Sequence, residues 1–269
     1  MTKLKQTGKE TQVLSGFEIL GIPFQCMEAV NKRLEPLVQE LELNQGVKIE
    51  NPHKGYPSAG TRNVSACIGN QVCQFANYNT TEFARKVEKS IFPNDYHVKR
   101  ALSGCPNDCI KAHMQDFGIL GMTKPEYEVY RCISCEACVK NCSKNATGAL
   151  KVHNGKVKRD EHQCIGCGEC VLKCPTSAWT RNPEKYYKLL IMGRTGKKNP
   201  RLAKPFLEWV DEASIIKIIQ NTYEYIDEFI DRTLPKEHVG YIVDRTGEQV
   251  FKEYALKDVN LGCEVKEYL

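Results

Sequence analysis

One cysteine pattern occurs twice in this chain and constrains its fold more than any other feature. Each copy has the spacing CxxCxxCxxxC, and the eight cysteines are Cys132, Cys135, Cys138 and Cys142, then Cys164, Cys167, Cys170 and Cys174. Three thiolates on such a tight loop bind three irons of one cubane, while the fourth points at another cluster. The duplication therefore predicts two 4Fe-4S clusters in one small domain.

The predicted ligand sets are crossed between the two copies. They are Cys132, Cys135, Cys138 and Cys174 for one cluster, and Cys164, Cys167, Cys170 and Cys142 for the other. A pair of zinc knuckles is the alternative, but zinc sites pair two CxxC or Cys/His units rather than triplets with a shared fourth ligand. The segment resembles bacterial two-cluster ferredoxins over its whole length, which implies a domain that stores and passes single electrons.

Composition favours metal ligation over disulfides for the 14 cysteines. The chain has 269 residues and a polar start at Met1 to Gln12 without the apolar core of a secretory signal. No stretch approaches the 18 consecutive apolar residues of a membrane span, so we expect a soluble, cytoplasmic protein. A formal charge of +5 without a basic tract makes nucleic acid an unexpected partner.

A second set of four cysteines has a different spacing. Cys67 and Cys73 lie in SACIGNQVC, and Cys105 and Cys109 lie in GCPNDC. Both spacings, the Gly-Cys-Pro-Asn context and the order of the pairs resemble the sirohaem-cluster motif of the sulfite and nitrite reductase family. That resemblance implies a third 4Fe-4S cubane on these four thiolates, with Cys109 also binding the sirohaem iron. The alternative is a plain third cluster without sirohaem.

Sirohaem carries eight carboxylates and sulfite is an anion, so cations must line such a pocket. Candidates for the oxyanion are Arg62, Lys99 and Arg100, and alternation on a strand puts Lys99 and Arg100 on opposite faces unless the strand is bulged. The segment GRTGKKNPR resembles the family's contact with sirohaem carboxylates. Its cations are Arg194, Lys197, Lys198 and Arg201. A solvated surface charge is the alternative for each of them.

The expected fold class is α+β, a sirohaem-binding reductase-like domain with an inserted two-cluster ferredoxin domain. The expected boundaries are a partial ferredoxin-like segment at 1–50, the sirohaem-4Fe-4S domain at 51–124, the ferredoxin insert at 125–182 and a continuation of the sirohaem domain at 183–269.

Periodicity predicts the main elements of this fold. Helices are expected at Cys26–Leu43, at Glu82–Lys89, after Pro106 and from Ile215 to before Pro235. Strands are expected at His97–Ser103 and Tyr187–Met192, and a hairpin at Val239–Lys252. Trp179 and Trp209 are expected in the core, and Cys26 and Cys263 are expected to be spare thiols.

The complete layout resembles the catalytic subunits of the anaerobic sulfite reductase family. The resemblance implies six-electron reduction of sulfite to sulfide, with electrons from partner subunits of flavin/NADH and iron-sulfur type. Nitrite reduction at the same centre and a non-catalytic iron-sulfur electron carrier are the alternatives. The family has a Thr-Thr-Arg-Gln type element near its N-terminus, whereas the corresponding stretch here reads GKETQVLSG and the first arginine is Arg33. Two interpretations are open: a shortened relative, whose pocket would lack one anion-binding wall of the family, or a reading frame whose true start lies upstream.

Overall fold

Ten strands and six α-helices make up the part of the chain that the structure, a computed structural model, describes: residues 64–91, 96–196, 199–234 and 237–268. In chain order the strands are β1 (Val64–Ala66), β2 (Arg100–Ser103), β3 (Phe117–Met122), β4 (Pro125–Tyr127), β5 (Leu150–His153), β6 (Lys156–Arg159), β7 (Trp179–Arg181), β8 (Tyr186–Ile191), β9 (Lys204–Val210) and β10 (Lys266–Glu267). The helices are α1 (Thr80–Ile91), α2 (Ala137–Asn145), α3 (Glu169–Lys173), α4 (Glu212–Phe229), α5 (Val239–Thr246) and α6 (Glu248–Ala255).

Six of these strands form one mixed sheet in the order β1-β2-β3-β8-β9-β10. The pairs β1–β2 and β2–β3 are parallel, and the later pairs are antiparallel. The carboxyl ends of β1 and β2 therefore lie side by side at one edge of the sheet. The loops that follow these two strands are the ones that carry the cysteines of the second set.

Helices α1, α4, α5 and α6 provide the main core on one face of the sheet. Helix α4 buries Ile215, Ile218, Ile219 and Ile226, because these positions recur every three or four residues along one stripe. Its first turn is capped by Asp211, whose carboxylate accepts a hydrogen bond from the backbone N–H of Ser214 at 2.9 Å. Burial of this stripe fixes which strand residues face the helices.

The opposite face of the sheet carries a smaller cluster of short side chains. Its buried members are Ala101, Ala112, Leu120, Leu190 and Ala203. Three of the five are alanines, so the side chains on this face are shorter than those on the helix-covered face.

The segment between β4 and β7 forms a small subdomain of its own. Strands β4 and β7 pair at its two ends, and β5 and β6 form a hairpin in its middle. Its core combines cysteines with apolar residues: Cys138, Leu150, Val157, Cys170 and Trp179. Trp179 and Trp209 are 2% and 6% exposed, which confirms the prediction that both belong to the core.

Several predicted elements are confirmed by the structure. The helix predicted at Glu82–Lys89 lies within α1, and the strand predicted at Tyr187–Met192 coincides with β8 to within one residue. The strand predicted at His97–Ser103 is regular only from Arg100. Helix α4 ends at Phe229, before Pro235 as predicted.

Two predicted elements are wrong. No α-helix follows Pro106; Asp108 and Lys111 adopt left-handed φ angles of 48° and 60°, and Phe117 begins β3. The predicted hairpin at Val239–Lys252 is instead the helix pair α5 and α6, which meet at Gly247 with a φ of 99°. A short apolar run does not by itself distinguish a strand from a helix.

The predicted helix at Cys26–Leu43 and the predicted N-terminal segment at 1–50 lie outside the described residues. Within the described residues, no helix is long and apolar enough to cross a membrane.

Candidate metal centre

The loops after β1 and β2 bring the second set of cysteines together; we call Cys67, Cys73, Cys105 and Cys109 the sheet group. The backbone N–H of Cys67 donates to the carbonyl of Leu102 at 3.0 Å, which extends the parallel ladder by one bond. The backbone N–H of Gly104 donates to the Cys67 Sγ at 3.1 Å. The thiol of Cys67 therefore lies directly against the Gly104-Cys105 loop.

Electrostatics indicates that the whole sheet group shares one site. Burial raises the pKa of the Cys105 thiol, and the backbone N–H of Asn107 partly opposes this rise. The other three thiols, Cys73, Cys109 and Cys67, each raise the pKa of Cys105 further through their charge. The other three thiols therefore all lie within electrostatic reach of Cys105, as expected for four thiols that share one site.

Cys109 differs from the rest of the sheet group because it is exposed. The adjacent Asp108 holds the turn: its carboxylate accepts from the backbone N–H of Ala112 at 2.6 Å and of His113 at 3.1 Å. The same carboxylate bonds the His113 ring nitrogen Nδ1 at 2.6 Å. This turn therefore holds Cys109 in an exposed position within the sheet group.

A pocket in the subdomain is lined by four cysteines from both copies of the repeated motif; we call Cys142, Cys164, Cys167 and Cys170 the inner group. Burial raises the pKa of Cys167 to about 11 and that of Cys170 to about 12. The charges of Cys164 and Cys142 add to the rise at Cys167. Cys142 thus lies with the second copy of the motif rather than with its own.

The remaining cysteines of the motif form the outer group, Cys132, Cys135, Cys138 and Cys174. Burial raises the pKa of Cys138, while a hydrogen bond from Trp179 opposes it and the charge of Cys174 adds to it. Burial also acts to raise the pKa of Cys174, but hydrogen bonds from Trp179, Thr176 and Ala178 outweigh burial and lower it. Cys135 is exposed, so this group reaches the surface of the subdomain.

The described cysteines are all free thiols. Across the described ranges, no three His, Cys, Asp or Glu side chains converge tightly enough to hold a single metal ion. A cubane does not require such convergence, because each of its thiolates binds a different iron. Each of the three groups supplies four thiols, which is the donor type and number that one cubane takes.

Asn77 joins the sheet group to the inner group. Its backbone N–H donates to the carbonyl of Gly104 at 2.8 Å, next to Cys105. Its side-chain amide donates to the carbonyl of Gly166 at 3.3 Å, within the loop that carries the inner group. Arg181, at the end of the subdomain, donates to the Asn77 side-chain oxygen at 3.1 Å.

Lys99 and Arg100 occupy different environments. Val98 and Leu102 belong to the helix-side core and Ala101 to the opposite cluster, so alternation places Lys99 on the face with short side chains. The ladder supports this placement, because the carbonyl of Lys99 accepts from the backbone N–H of Phe117 at 3.0 Å.

Arg100 is 1% exposed within the helix-side core. Its guanidinium donates to the carbonyl of Val98 at 2.8 Å and lies over the ring of Tyr223, 5.7 Å from its centroid. Burial lowers the pKa of Arg100, and the phenol of Tyr223 opposes that effect. This placement does not support the predicted role of Arg100 in anion binding.

Arg194 and Arg201 hold their own loop together. They form a two-residue antiparallel bridge, and Arg194 donates to the carbonyl of Asn199 and lies over the ring of Tyr241 at 3.9 Å. Arg201 donates to the carbonyl of Met192 at 2.8 Å and to both carboxylate oxygens of Asp244. Their predicted contact with sirohaem carboxylates stays a prediction. Arg62, Lys197 and Lys198 lie outside the described residues.

Residues 58–261 match the family described as the nitrite and sulphite reductase 4Fe-4S domain. The chain belongs to the nitrite and sulphite reductase family. It is 45% identical, over 91% of its length, to an anaerobic sulfite reductase subunit of Salmonella typhimurium, and the match covers 73% of that protein. The predicted resemblance to anaerobic sulfite reductases is confirmed by this relative.

Two further relatives of this reductase-family chain are more distant. The assimilatory-type sulfite reductase of Nitratidesulfovibrio vulgaris is 29% identical over 34% of this chain and 39% of its own length. A solved structure of dissimilatory sulfite reductase I has a TM-score of 0.55 at 18% identity, and the match covers 72% of this chain and 51% of that one. At that identity the structural match supports the fold alone.

The sequence did not reveal two residues that shape this reductase-family site. Asn77 acts on Gly166, 89 residues away, and no local pattern signals such a contact. Asp108 lies inside the GCPNDC motif, directly before Cys109. Its position could have indicated a turn, because Asp readily accepts hydrogen bonds from backbone N–H groups a few residues further along the chain.

Proposed function

We propose that this chain is the catalytic subunit of a sulfite reductase and reduces sulfite to sulfide at a sirohaem-4Fe-4S centre. The observation that carries the proposal is the sheet group itself, in which three thiols are at least half-buried and Cys109 alone is exposed. A thiolate shared between a cubane and a second iron must be reachable from outside the cubane. The family assignment supports the iron-sulfur part of the proposal.

The residues that would hold the cofactors are Cys67, Cys73, Cys105 and Cys109 for the cubane, with Cys109 shared with the sirohaem iron. When bound, the sirohaem and its cubane would supply an iron site for the sulfur of sulfite and the six electrons that its reduction to sulfide requires. The chain's own task is to hold these groups, to bind the anion and to guide electrons towards them.

Lys99 is the described cation that best suits binding of sulfite. It lies on the sheet face with short side chains, and its backbone N–H donates to the buried carboxylate of Asp116 at 2.9 Å. That bond fixes the start of β2 and leaves the ammonium group of Lys99 to pair with an anion. Arg62, Lys197 and Lys198 are proposed as further cations of the same pocket, and Arg194 and Arg201 as anchors of the loop beside it.

The inner and outer groups would hold the two ferredoxin-type clusters, which makes three cubanes in all. The inner group lies next to the sheet group through Asn77, and the outer group reaches the surface. Electrons would pass one at a time from the outer to the inner group and then to the sheet group. Partner subunits of flavin/NADH and iron-sulfur type would supply them, in a cytoplasmic complex.

Turnover under anaerobic conditions tests the proposed reaction. The chain is supplied with reduced methyl viologen and either sulfite or nitrite, and sulfide and ammonium are quantified. Sulfide formation at a higher kcat/KM than ammonium formation supports the proposal. Faster nitrite reduction would make this a nitrite reductase, and no turnover of either anion by protein loaded with all its cofactors would leave an electron carrier.

A further inference from the structure

Apolar side chains are exposed beside the outer group. Tyr130 is 94% exposed, Ile133 65% and Val129 38%, and all three lie on the loop that leads to Cys132 and Cys135. Single exposed apolar residues are ordinary, but a contiguous set rimmed by polar residues marks an interaction surface. An exposed tyrosine with apolar neighbours is also the composition found where protein partners dock.

The tip of the β5–β6 hairpin continues this surface. The ammonium group of Lys156 donates to the carbonyls of Val129 and Cys132, the second bond at 2.8 Å. The hydroxyl of Ser134 donates to the carbonyl of Gly155. The loop and the hairpin therefore form one continuous surface.

One face of the hairpin carries only basic side chains; we call Lys151, His153, Lys156 and Lys158 the basic hairpin face. The register pairs Lys151 with Lys158 and His153 with Lys156, so all four side chains point the same way. The other face is the one that packs, since Leu150 and Val157 are 4% and 5% exposed.

The like charges of the basic hairpin face lower the stability of the subdomain when no partner is bound. Two like charges directly opposite each other in an antiparallel pair destabilise it. Among the residues that the structure describes, Lys151 and Lys158 are both exposed and form no ion pair with a carboxylate. An acidic partner surface would convert this repulsion into attraction and would accelerate association.

The position of this surface indicates which group of cysteines it would serve. The inner group is covered by the sheet domain, as we call the six-stranded sheet with its helices, because a Cβ on Gly166 would lie 2.9 Å from Trp209 and 3.0 Å from Met122. Cys135 of the outer group is exposed between the apolar loop and α2. Since electron transfer slows steeply with distance, a donor has to approach the outer group, and this surface surrounds it.

We propose that the loop Val129 to Ser134 and the basic hairpin face dock an acidic protein that donates single electrons, with an acidic rim around an apolar centre. In each transfer the donor would lose one electron, and a cluster held by the outer group would accept it; no bond would form or break. The inference deepens the proposed function. It rests on that function only for the identity of the final electron acceptor.

The docking surface is tested with the full chain, purified without air. The probe is an acidic bacterial two-cluster ferredoxin, whose binding to the chain is measured. The variant Lys151→Glu/Lys158→Glu reverses the charge but keeps a like-charged cross-strand pair, so the stability of the hairpin changes little. We expect its affinity at low salt to fall roughly tenfold or more and the salt dependence of binding to flatten. Tyr130→Ala should weaken binding at every salt concentration.

The matched control is Lys89→Glu/Lys257→Glu, which reverses two exposed lysines of the sheet domain and should bind the ferredoxin like the wild type. Carbodiimide cross-linking provides a second readout, because it joins lysines to carboxylates in contact. Cross-links at Lys151 or Lys158 are expected. Reduction by the ferredoxin is followed as a rate relative to reduction by methyl viologen, a small cation.

Equal binding by wild type and the reversed hairpin variant, or no binding of the ferredoxin at low salt, overturns the docking inference. Binding of a single-stranded oligonucleotide in preference to the ferredoxin, lost in the reversed variant, would assign the surface to nucleic acid and overturn it too. Lysine-dependent ferredoxin binding without sulfite turnover would refute only the proposed function. Viologen-driven sulfite turnover with lysine-independent ferredoxin binding would refute only the docking surface.

Discussion

The side chain of Asn77 bonds the backbone of Gly166, and this contact connects two loops that carry cysteines. The amide donates to the carbonyl of Gly166 at 3.3 Å and to the carbonyl of Gly121 at 3.2 Å. Asn77 is 5% exposed, so these bonds are shielded from water. Gly166 lies between Cys164 and Cys167, and the backbone of Asn77 bonds Gly104 beside Cys105. One residue thus sets how the inner group meets the sheet group.

Asn77→Ala should weaken both the fold and the passage of electrons. It removes one hydrogen bond from each of two carbonyls, those of Gly121 and Gly166, although the Gly166 carbonyl keeps the bond from the backbone N–H of Thr123. The expected loss is about 1–3 kcal/mol in the free energy of unfolding. Electron transfer from the inner group to the sheet group should slow, because the loops are no longer held together. Denaturant unfolding and rapid-mixing reduction measure the two effects. The exposed Asn260→Ala is the control; equal behaviour of the two variants would contradict the role given to Asn77.

Gly166→Ala should destabilise the protein more than Gly148→Ala. Both glycines have positive φ angles, 64° and 71°, so both substitutions carry a similar backbone strain of about 1–2 kcal/mol. An alanine Cβ at 166 would lie 2.9 Å from Trp209, whereas at 148 its nearest neighbour is 3.9 Å away. Overpacking adds about 1–3 kcal/mol at 166 only. Thermal unfolding of both variants measures the difference, and equal shifts would show that the subdomain is not packed on Trp209.

Lys99→Ala and Arg100→Ala should affect different properties, the first substrate binding and the second stability. Lys99→Ala removes the charge that we propose to pair with the anion, so KM for sulfite should rise roughly 10-fold or more with little change in stability. Arg100→Ala leaves a cavity in the helix-side core and should lower the free energy of unfolding by about 2 kcal/mol. Steady-state kinetics and thermal melts of both variants separate the two roles. A raised KM in Arg100→Ala at unchanged stability would reverse the assignment.

Cys109→Ser should remove or uncouple the sirohaem and leave the inner and outer groups able to hold their clusters. The reason is that Cys109 is the exposed member of the sheet group and lies in a turn fixed by Asp108. Iron content and the absorption of the extracted tetrapyrrole measure the outcome. Cys263→Ser, at an exposed cysteine of the C-terminal segment, is the control and should keep all cofactors. Loss of every centre alike in Cys109→Ser would indicate misfolding and not a bridging thiolate.

Cysteine spacing is a local property of tight loops, so it suggests a grouping of the thiols directly, and the ligand sets themselves stay predictions. It suggested that Cys142 belongs with the second copy of the motif, where the structure also brings it beside Cys164 and Cys167. The long apolar stripe from Ile215 to Ile226 was equally clear, because its period is helical over several turns.

Where the sequence predicted the wrong element, contacts between distant parts of the chain determine the secondary structure. Ile110, Met114 and Phe117 are spaced as on a helix, yet Phe117 pairs with Arg100 in a parallel ladder. Val239 to Val243 resembles a strand, but Val239, Ile242 and Val243 are buried on one side of α5. In the same way, Arg100 is buried over the ring of Tyr223, a contact that its position next to Lys99 in the sequence does not predict.

The cofactor content of protein purified without air tests the central proposal most directly. An absorption spectrum is recorded, the tetrapyrrole is extracted into acidified acetone, and iron is quantified per chain. We predict one sirohaem and about 13 irons, three cubanes and the haem iron, for protein made in a host that synthesises sirohaem. About 8 to 12 irons without any tetrapyrrole from the same host would contradict a sirohaem centre and leave an iron-sulfur electron carrier.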